Sequence, residues 1–347
     1  MKQKTKISVG VITYNQETTI RQTLDSILTQ KGDFDLEVII GEDCSPDGTY
    51  AICKDYVRQV ESGKWKVEGY ERTIVLLPNT KNLGIMANFA RVMKACTGEY
   101  VGICAGDDYW CDEHKLQKQL EYFRMHPDVG VVSTSGYRHY VLRDEMVQGI
   151  APLHPIMDGD IKNFYFSTNY KGGVYAMPLS LLIKRDVMKY VDFDEFVKRG
   201  FPVEDYPMQA VMAQHCKWGH INDLCVVYRV YKESATFISY DHPKYLQYHK
   251  GLMNIRHYLN ELFPNDACFS EEWMQEYEFY KEFLLYLHKG DYRKAKQLVS
   301  QASEIIHSMR QYKQANNAVK SWLYFTIFRW YKWYRNRKEL KNRTRMY

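Results

Sequence analysis

Glycine and proline are sparse, 20 and 10 among 347 residues, which excludes collagen-like and low-complexity classes. The eight cysteines include no CxxC pair. Their surroundings, as at Cys44, Cys53, Cys96 and Cys104, are mostly apolar and read as reduced core thiols rather than disulfides or zinc ligands. The eleven histidines show no HxxxH spacing and suggest no zinc site. GxGxxG and GxxxxGK(S/T) are both absent, which removes the dinucleotide fingerprint and the P-loop. No run reaches the ~20 apolar residues of a transmembrane helix, and the apolar stretch in MKQKTKISVGVITYN is too short for a signal peptide. The expectation is a chain neither exported by such a signal nor membrane-spanning.

What is present suffices for a folded body. Forty-five per cent of the chain is apolar, ample for a buried core, and a charged fraction of 26% is ordinary for a globular protein. Tyrosine is over-used, at 29 residues, which suits carbohydrate or membrane-interface surfaces and equally compositional drift. The net charge of +5 conceals an asymmetry: from Arg310 to Tyr347 there are eleven Lys/Arg against one acid, Glu339, and the rest of the chain is mildly acidic. A DNA-binding protein is basic over its binding body. An acidic body with a basic tail fits contact of the tail with an anionic surface.

Through the first half, apolar β-rich runs alternate with helical patterns. Strands are expected at Ile7–Thr13, Leu36–Gly41, Thr73–Leu77, Tyr100–Cys104 and Val129–Ser133. Helices are expected at Glu17–Gln30, about Thr49 to Glu61, Leu83–Ala95 and Asp112–Met125. Alternation of this kind argues a mostly parallel sheet with crossover helices, and continuous apolar strands suit a sheet covered on both faces. Leu181–Val191 and Tyr206–Lys217 read as helices and Leu224–Tyr231 as a strand. From about Lys244 the pattern is almost all helical, with Phe279–Leu287 and Tyr292–Ile306 flanking the break Lys289-Gly290-Asp291, an antiparallel helical hairpin.

In open parallel sheets ligands bind beyond the carboxyl ends of the strands. Those ends carry Thr13-Tyr14-Asn15, then Glu42-Asp43-Cys44-Ser45-Pro46-Asp47-Gly48-Thr49, then Gly106-Asp107-Asp108-Tyr109-Trp110. Two adjacent carboxylates at a strand end can hold Mg²⁺ or Mn²⁺ together with substrate phosphates, and the cation then stabilises a leaving diphosphate as a Lewis acid. On spacing alone, Asp107-Asp108 equally well cap the next helix.

These residues carry a resemblance. SVGVITYN at Ser8–Asn15, the GEDCSPDGT stretch, KNLGIMANFARVMKACTGEYV, AGDDYW and the later VEDYPMQA, in that order, resemble the family 2 glycosyltransferases of GT-A fold, in particular members that build bacterial surface polysaccharides. The likeness is dense over residues 6–135 and looser to about 235. It implies an α/β, GT-A-type, mostly parallel sheet flanked by helices and followed by a C-terminal α-helical subdomain. The transferase domain would be residues 1–240, with a nucleotide-sugar half at about 1–135 and an acceptor half at about 136–240. A helical region with a basic-aromatic tail would fill 241–347.

By position, the resemblance implies that Thr13, Tyr14 and Asn15 line the nucleotide-base pocket, that Asp43 hydrogen-bonds the base and that Asn82 lies near base and ribose. Asp107 and Asp108 would contact ribose and metal–diphosphate, with Mn²⁺ or Mg²⁺ as the cation; which of the two is the main metal ligand stays open. Glu204-Asp205 matches the family's late acidic motif, which makes Asp205 the general base and Glu204 its fallback; the other reading is an acid pair at a helix N-terminus stabilising its dipole. Two positions depart from the family pattern. Ala105 stands where many members have an acid, and Tyr231 stands where a histidine often follows Tyr-Arg by one residue. Water or phosphate then completes the metal shell, or metal dependence is weaker. Arg229 reads either as charge for the diphosphate or as an inward salt bridge. Trp110 reads as a sugar platform or a core ring, and Lys171-Gly172-Gly173 as a close backbone approach or an ordinary loop.

The segment Trp322–Arg335 is aromatic and basic. Too short to span, it could as a helix lie at a membrane interface, or dock on the helical region with a solvated basic end. RNA binding by such interleaving finds no support in the acidic body. The function expected is inverting transfer of a sugar from a nucleoside diphosphate sugar to a glycan, lipid-linked, at the cytoplasmic face of the membrane, with no nucleic-acid partner. The rivals are a nucleotidyltransferase, which should carry a glycine-rich phosphate loop, and an inactive membrane-bound scaffold on a transferase-like body.

Overall fold

The computed structural model describes residues 4–149, 159–165, 176–231, 244–266, 269–332 and 334. By contacts the chain divides into two compact units, residues 1–165 with 169–231 and residues 232–347 with 166–168.

In the first unit β1 (Lys6–Thr13), β2 (Asp35–Glu42), β3 (Arg72–Leu76) and β4 (Tyr100–Ala105) alternate with α1 (Ile20–Leu28), α2 (Thr49–Glu61) and α3 (Ile85–Ala95). The four strands pair in parallel in the order β3-β2-β1-β4. Residues 7–11 of β1 and 36–42 of β2 are buried without a break, as a sheet covered on both faces requires. All four strands therefore end on one rim. β5 (Tyr109–Trp110), α4 (Lys115–Met125), β6 (Val129–Tyr140) and β7 (Glu145–Gly149) follow, then α5 (Lys162–Tyr165), β8 (Leu182–Lys184), α6 (Arg185–Met188), α7 (Phe193–Arg199), α8 (Asp205–His215) and β9 (Lys217–Val230). The sheet continues from β4 through β8, β6 and β9 to β5, with β7 on β6. β8 runs antiparallel to both its neighbours, while β6 and β9 are parallel.

The helix expected over Leu181–Val191 is a strand at its start: Leu182–Lys184 is β8, and only Arg185–Met188 is helical. Leu181, Leu182 and Ile183 are wholly buried because the strand is inserted between β4 and β6. A short strand buried on both faces has no alternation by which to tell it from a helical turn.

The second unit holds α9 (Tyr245–Leu262), α10 (Glu271–Lys289), α11 (Tyr292–Ser300) and α12 (Arg310–Ala318), and residues 322–332 are also helical. The expected hairpin turns at Gly290, whose φ of 73° is cheap only without a Cβ. Asp291 then caps α11, its carboxylate accepting from the Lys294 N–H at 3.0 Å. Phe279, Phe283 and Leu287 of α10 pack with Ala295, Val299, Tyr312, Ala315 and Phe325. Among the described residues no helix is long and apolar enough to cross a membrane.

Candidate active site

The rim is stitched together by its own loops. Asn15 and Cys44, just past β1 and β2, both take a left-handed φ of 57°, a conformation that costs a residue with a Cβ about 1–2 kcal/mol. The turn at Asn15 lets its N–H donate to Ser45 Oγ at 2.9 Å. The next two N–H groups, of Gln16 and Glu17, donate to Thr49 Oγ1 and Asp47 Oδ2. Thr13 is buried and its hydroxyl donates to Gln16 Oε1, whereas the ring of Tyr14 is exposed. Asp43 is buried and organises the loop after β3. Its Oδ1 accepts from Asn79 Nδ2 at 3.0 Å and the Leu83 N–H at 2.8 Å, and its Oδ2 from the Gly84 N–H at 2.9 Å. Asn82 Nδ2 donates to the Asp43 carbonyl at 2.9 Å. A carboxylate oxygen accepts two such bonds, so Oδ2 keeps one acceptor position.

After β4 the chain turns through Gly106, Asp107 and Asp108. A Cβ on Gly106 would collide with Gln16 Oε1 and would meet Thr13 Oγ1 at 2.6 Å and Thr13 Cβ at 2.8 Å, a space that favours glycine. Asp108 is 4% exposed, and its Oδ1 accepts from the Arg229 N–H at 2.8 Å. Burial raises its carboxyl well above the usual range, the neighbouring Asp107 charge adds to this, and the Arg229 N–H and charge oppose it. Asp107 is raised by burial too, against the charge of Arg229 and a hydrogen bond from the Gln16 side chain. Arg229 is buried over the Tyr109 ring, and its guanidinium donates to the Asp107 carbonyl and to Gln22 Oε1. It is thus a brace for the turn. Tyr231 lies within reach of the same charges: burial raises its hydroxyl, Arg229 opposes, and Asp107 and Asp108 push it further.

Two adjacent carboxyls, that of Asp108 buried and that of Asp107 half-buried, both pushed up, form a donor set that a hard divalent cation relieves. Among the described residues no group of three or more His, Cys, Asp or Glu side chains could hold a metal ion, so a cation here needs further oxygens from its substrate or from water. Mg²⁺ and Mn²⁺ suit such an incomplete set.

Glu204 and Asp205 lie at the start of α8. Asp205 Oδ1 accepts from the Tyr206 N–H at 2.7 Å, and one turn on the helix is held through Gln209, whose Oε1 accepts from the Tyr165 hydroxyl and whose Nε2 donates to the Ala176 carbonyl. The side chain of Glu204 makes no capping hydrogen bond although it occupies the cap position. Burial first, then the Asp205 charge, pushes its carboxyl up to about 8. The folded protein keeps this proton where the unfolded chain releases it. Stability therefore falls as pH rises from about 4.5 to about 8 and is flat above. Glu204→Gln removes that loss. In thermal melts the variant should match the wild type at pH 4.5 and unfold at a higher temperature at pH 8.5.

Sequence reasoning missed the clamp on the acidic turn. Thr19 Oγ1 donates to the Gly106 carbonyl at 2.8 Å. Thr23 Oγ1 lies 2.6 Å from the Asp108 carbonyl and 3.0 Å from that of Gly106, and shares its one proton between them. The available signal was Thr23 itself, a hydroxyl on the face of α1 that buries Ile20, Leu24 and Ile27. Thr23→Val keeps the shape and strands a buried carbonyl. It should cost about 1–3 kcal/mol in denaturant unfolding and weaken nucleotide binding by calorimetry. Trp110 is a core ring: it is buried, its Nε1 donates to the Leu179 carbonyl at 2.9 Å, and Lys115 Nζ sits 4.2 Å from its centroid. Lys171-Gly172-Gly173 and the segment after Tyr231 lie outside the described residues.

A family model described as glycosyl transferase family 2 matches residues 8–184. An uncharacterised protein of Mycobacterium tuberculosis (strain H37Rv) is 38% identical over 125 residues, which are 36% of this chain and 33% of that protein. The match thus spans about a third of that relative's length. The abequosyltransferase RfbV of Salmonella typhimurium is 24% identical over 236 residues, 64% of this chain and 66% of that one. Among solved structures, S. aureus TarS 1–349 in complex with UDP-GlcNAc superposes with a TM-score of 0.51 at 16% identity, covering 90% of this chain and 80% of that chain. The mannosyltransferase PcManGT of Pyrobaculum calidifontis, in complex with GDP-Man and Mn²⁺, gives 0.50 at 15% identity, covering 95% and 88%. These likenesses place the fold among the GT-A-like structures.

Proposed function

The chain belongs to glycosyl transferase family 2, and from that premise we propose that it transfers a sugar from a nucleoside diphosphate sugar to a hydroxyl of a glycan acceptor, with inversion at the anomeric carbon. The observation that carries this reading is the buried turn at Asp107 and Asp108, two raised carboxyls at the common end of parallel strands. Nucleotide-sugars bound by the structural neighbours, one with Mn²⁺, support it.

Asp107 and Asp108 would hold the divalent cation. When bound, Mn²⁺ or Mg²⁺ supplies Lewis-acid stabilisation of the leaving diphosphate. The loops of Tyr14, Asn15, Asp43 and Asn82 bind and orient the nucleoside, with the free acceptor position of Asp43 Oδ2 open to a base N–H. Asp205 takes the proton from the acceptor hydroxyl as its oxygen bonds to the anomeric carbon. The bond from that carbon to the diphosphate breaks, and the diphosphate leaves with the electron pair. The carboxyl of Glu204 is raised by burial and by the Asp205 charge, which makes Asp205 the member proposed as base. The acceptor is lipid-linked and the reaction runs at the cytoplasmic face of a membrane; the basic-aromatic tail supports this part.

Calorimetric titration with UDP, GDP, dTDP and CMP, with and without Mn²⁺, tests the reading. The expected result is Mn²⁺-enhanced binding of one nucleotide, lost in an Asp107→Asn/Asp108→Asn variant. Failure of all four to bind a folded protein leaves the inactive scaffold.

A further inference from the structure

The helical segment 322–332 leaves one side uncovered. At 100° per residue, Leu323, Ile327, Trp330, Tyr331 and Tyr334 fall within an arc of about 100°, and each is between 45% and 62% exposed. On the other side Phe325 is buried, and both it and Phe328 pack on the core of the helical unit. Five large apolar or aromatic side chains on one arc form a patch that water does not favour.

The charges of this segment do not share that arc. Arg329 Nη2 donates to the His288 carbonyl at 3.0 Å, near the C-terminus of α10, where a cation is favourable. Lys332 Nζ lies 5.4 Å from the Tyr280 ring centroid and 5.3 Å from that of Phe328. Both cations are thus turned back onto their own unit. The patch is neutral, and the remaining charge follows it in the sequence: residues 335–347 carry six Lys/Arg against Glu339.

We propose that this arc is a lipid-contact face, lying in the boundary between headgroups and acyl chains of an anionic bilayer with the helix parallel to its plane. Leu323 and Ile327 enter the acyl region. Trp330, Tyr331 and Tyr334 sit at headgroup depth, where amphipathic rings are favoured. The basic sequence from Arg335 to Arg345 supplies the attraction to anionic headgroups. Charge complementarity selects this occupant over a second copy of the chain, whose own basic sequence would repel. That the face brings the enzyme to a lipid-linked acceptor rests on the function proposed above; the lipid contact itself does not.

The test is sedimentation of the full chain with vesicles of phosphatidylcholine alone or with about a third phosphatidylglycerol. The wild type is compared with Ile327→Asp/Trp330→Asp, both positions being exposed, and thermal melts report folding. The wild type should partition at least ten-fold more strongly into the anionic vesicles, and the double variant should lose ten-fold or more of that binding. Nucleotide affinity should be the same in both, which separates this surface from the donor site. No binding to anionic vesicles, unchanged binding by the variant, or equal binding to both vesicle types would overturn the proposal. So would a wild-type dimer, seen by light scattering, that the double variant dissolves.

Discussion

Asp205→Asn should lower kcat by about 10²–10⁴-fold, the range a positioned general base supplies, with nucleotide affinity nearly unchanged. The amide keeps the shape and can still accept from the Tyr206 N–H, as Asp205 Oδ1 does at 2.7 Å, so α8 should begin where it does now. What it cannot do is take a proton. The loss should therefore fall on kcat, not on the KM for the donor. A purely structural role would give the opposite pattern, a lowered melting temperature with activity reduced only in proportion to unfolding. Single-turnover transfer measured beside a thermal melt distinguishes the two. Full activity in the variant would move the base role to Glu204.

The Asp107→Asn/Asp108→Asn variant should bind nucleotide at least ten-fold more weakly in the presence of Mn²⁺ and yet be more stable than the wild type. The two expectations come from one cause. Both carboxyls are raised, mainly by burial, so the folded state resists ionising them and loses stability as pH rises from the unfolded range through their raised values. Amides remove that loss, and the amide oxygen at position 108 could still accept the Arg229 N–H now bonded to Asp108 at 2.8 Å. The stability gain should therefore be largest at alkaline pH and vanish in acid. Stability given up at a site that gains function by it is a familiar exchange. If the double variant is instead destabilised at pH 8, the acids are structural and the cation assignment fails.

The parts of the fold legible in the sequence were those set by local pattern. β1, β2 and β4 stand within a residue of the apolar runs expected at Ile7–Thr13, Leu36–Gly41 and Tyr100–Cys104, because strands covered on both faces need continuous apolar sequence. The helix expected from Asp112 begins at Lys115; Asp112 instead turns the chain before it, accepting from the His114 N–H at 2.8 Å. β9 begins at Lys217, earlier than the expected Leu224. Its first half is polar in places and is held by pairing with β6. The acidic turn was legible as chemistry, but its support was not. Thr23 and Asp108 are 85 residues apart, and Arg229 reaches Gln22 across 207. Pairings of that separation leave no periodic trace; they exist only once the sheet has closed.

The position of β8 has a consequence for assembly on the ribosome. β1 to β4 are complete when Ala105 has been made, but the strand that covers the free edge of β4 is Leu182–Lys184. Among the described residues β6 also meets that half of the sheet only through β8. At ~5–20 residues per second, synthesis of the intervening chain takes about 4–16 s. For that interval the parallel half carries an unpaired edge, the template on which chains aggregate. A three-residue strand thus sets when the nascent chain becomes safe, and substitutions in Leu182 or Ile183 should reduce soluble yield more than they reduce the stability of protein already folded.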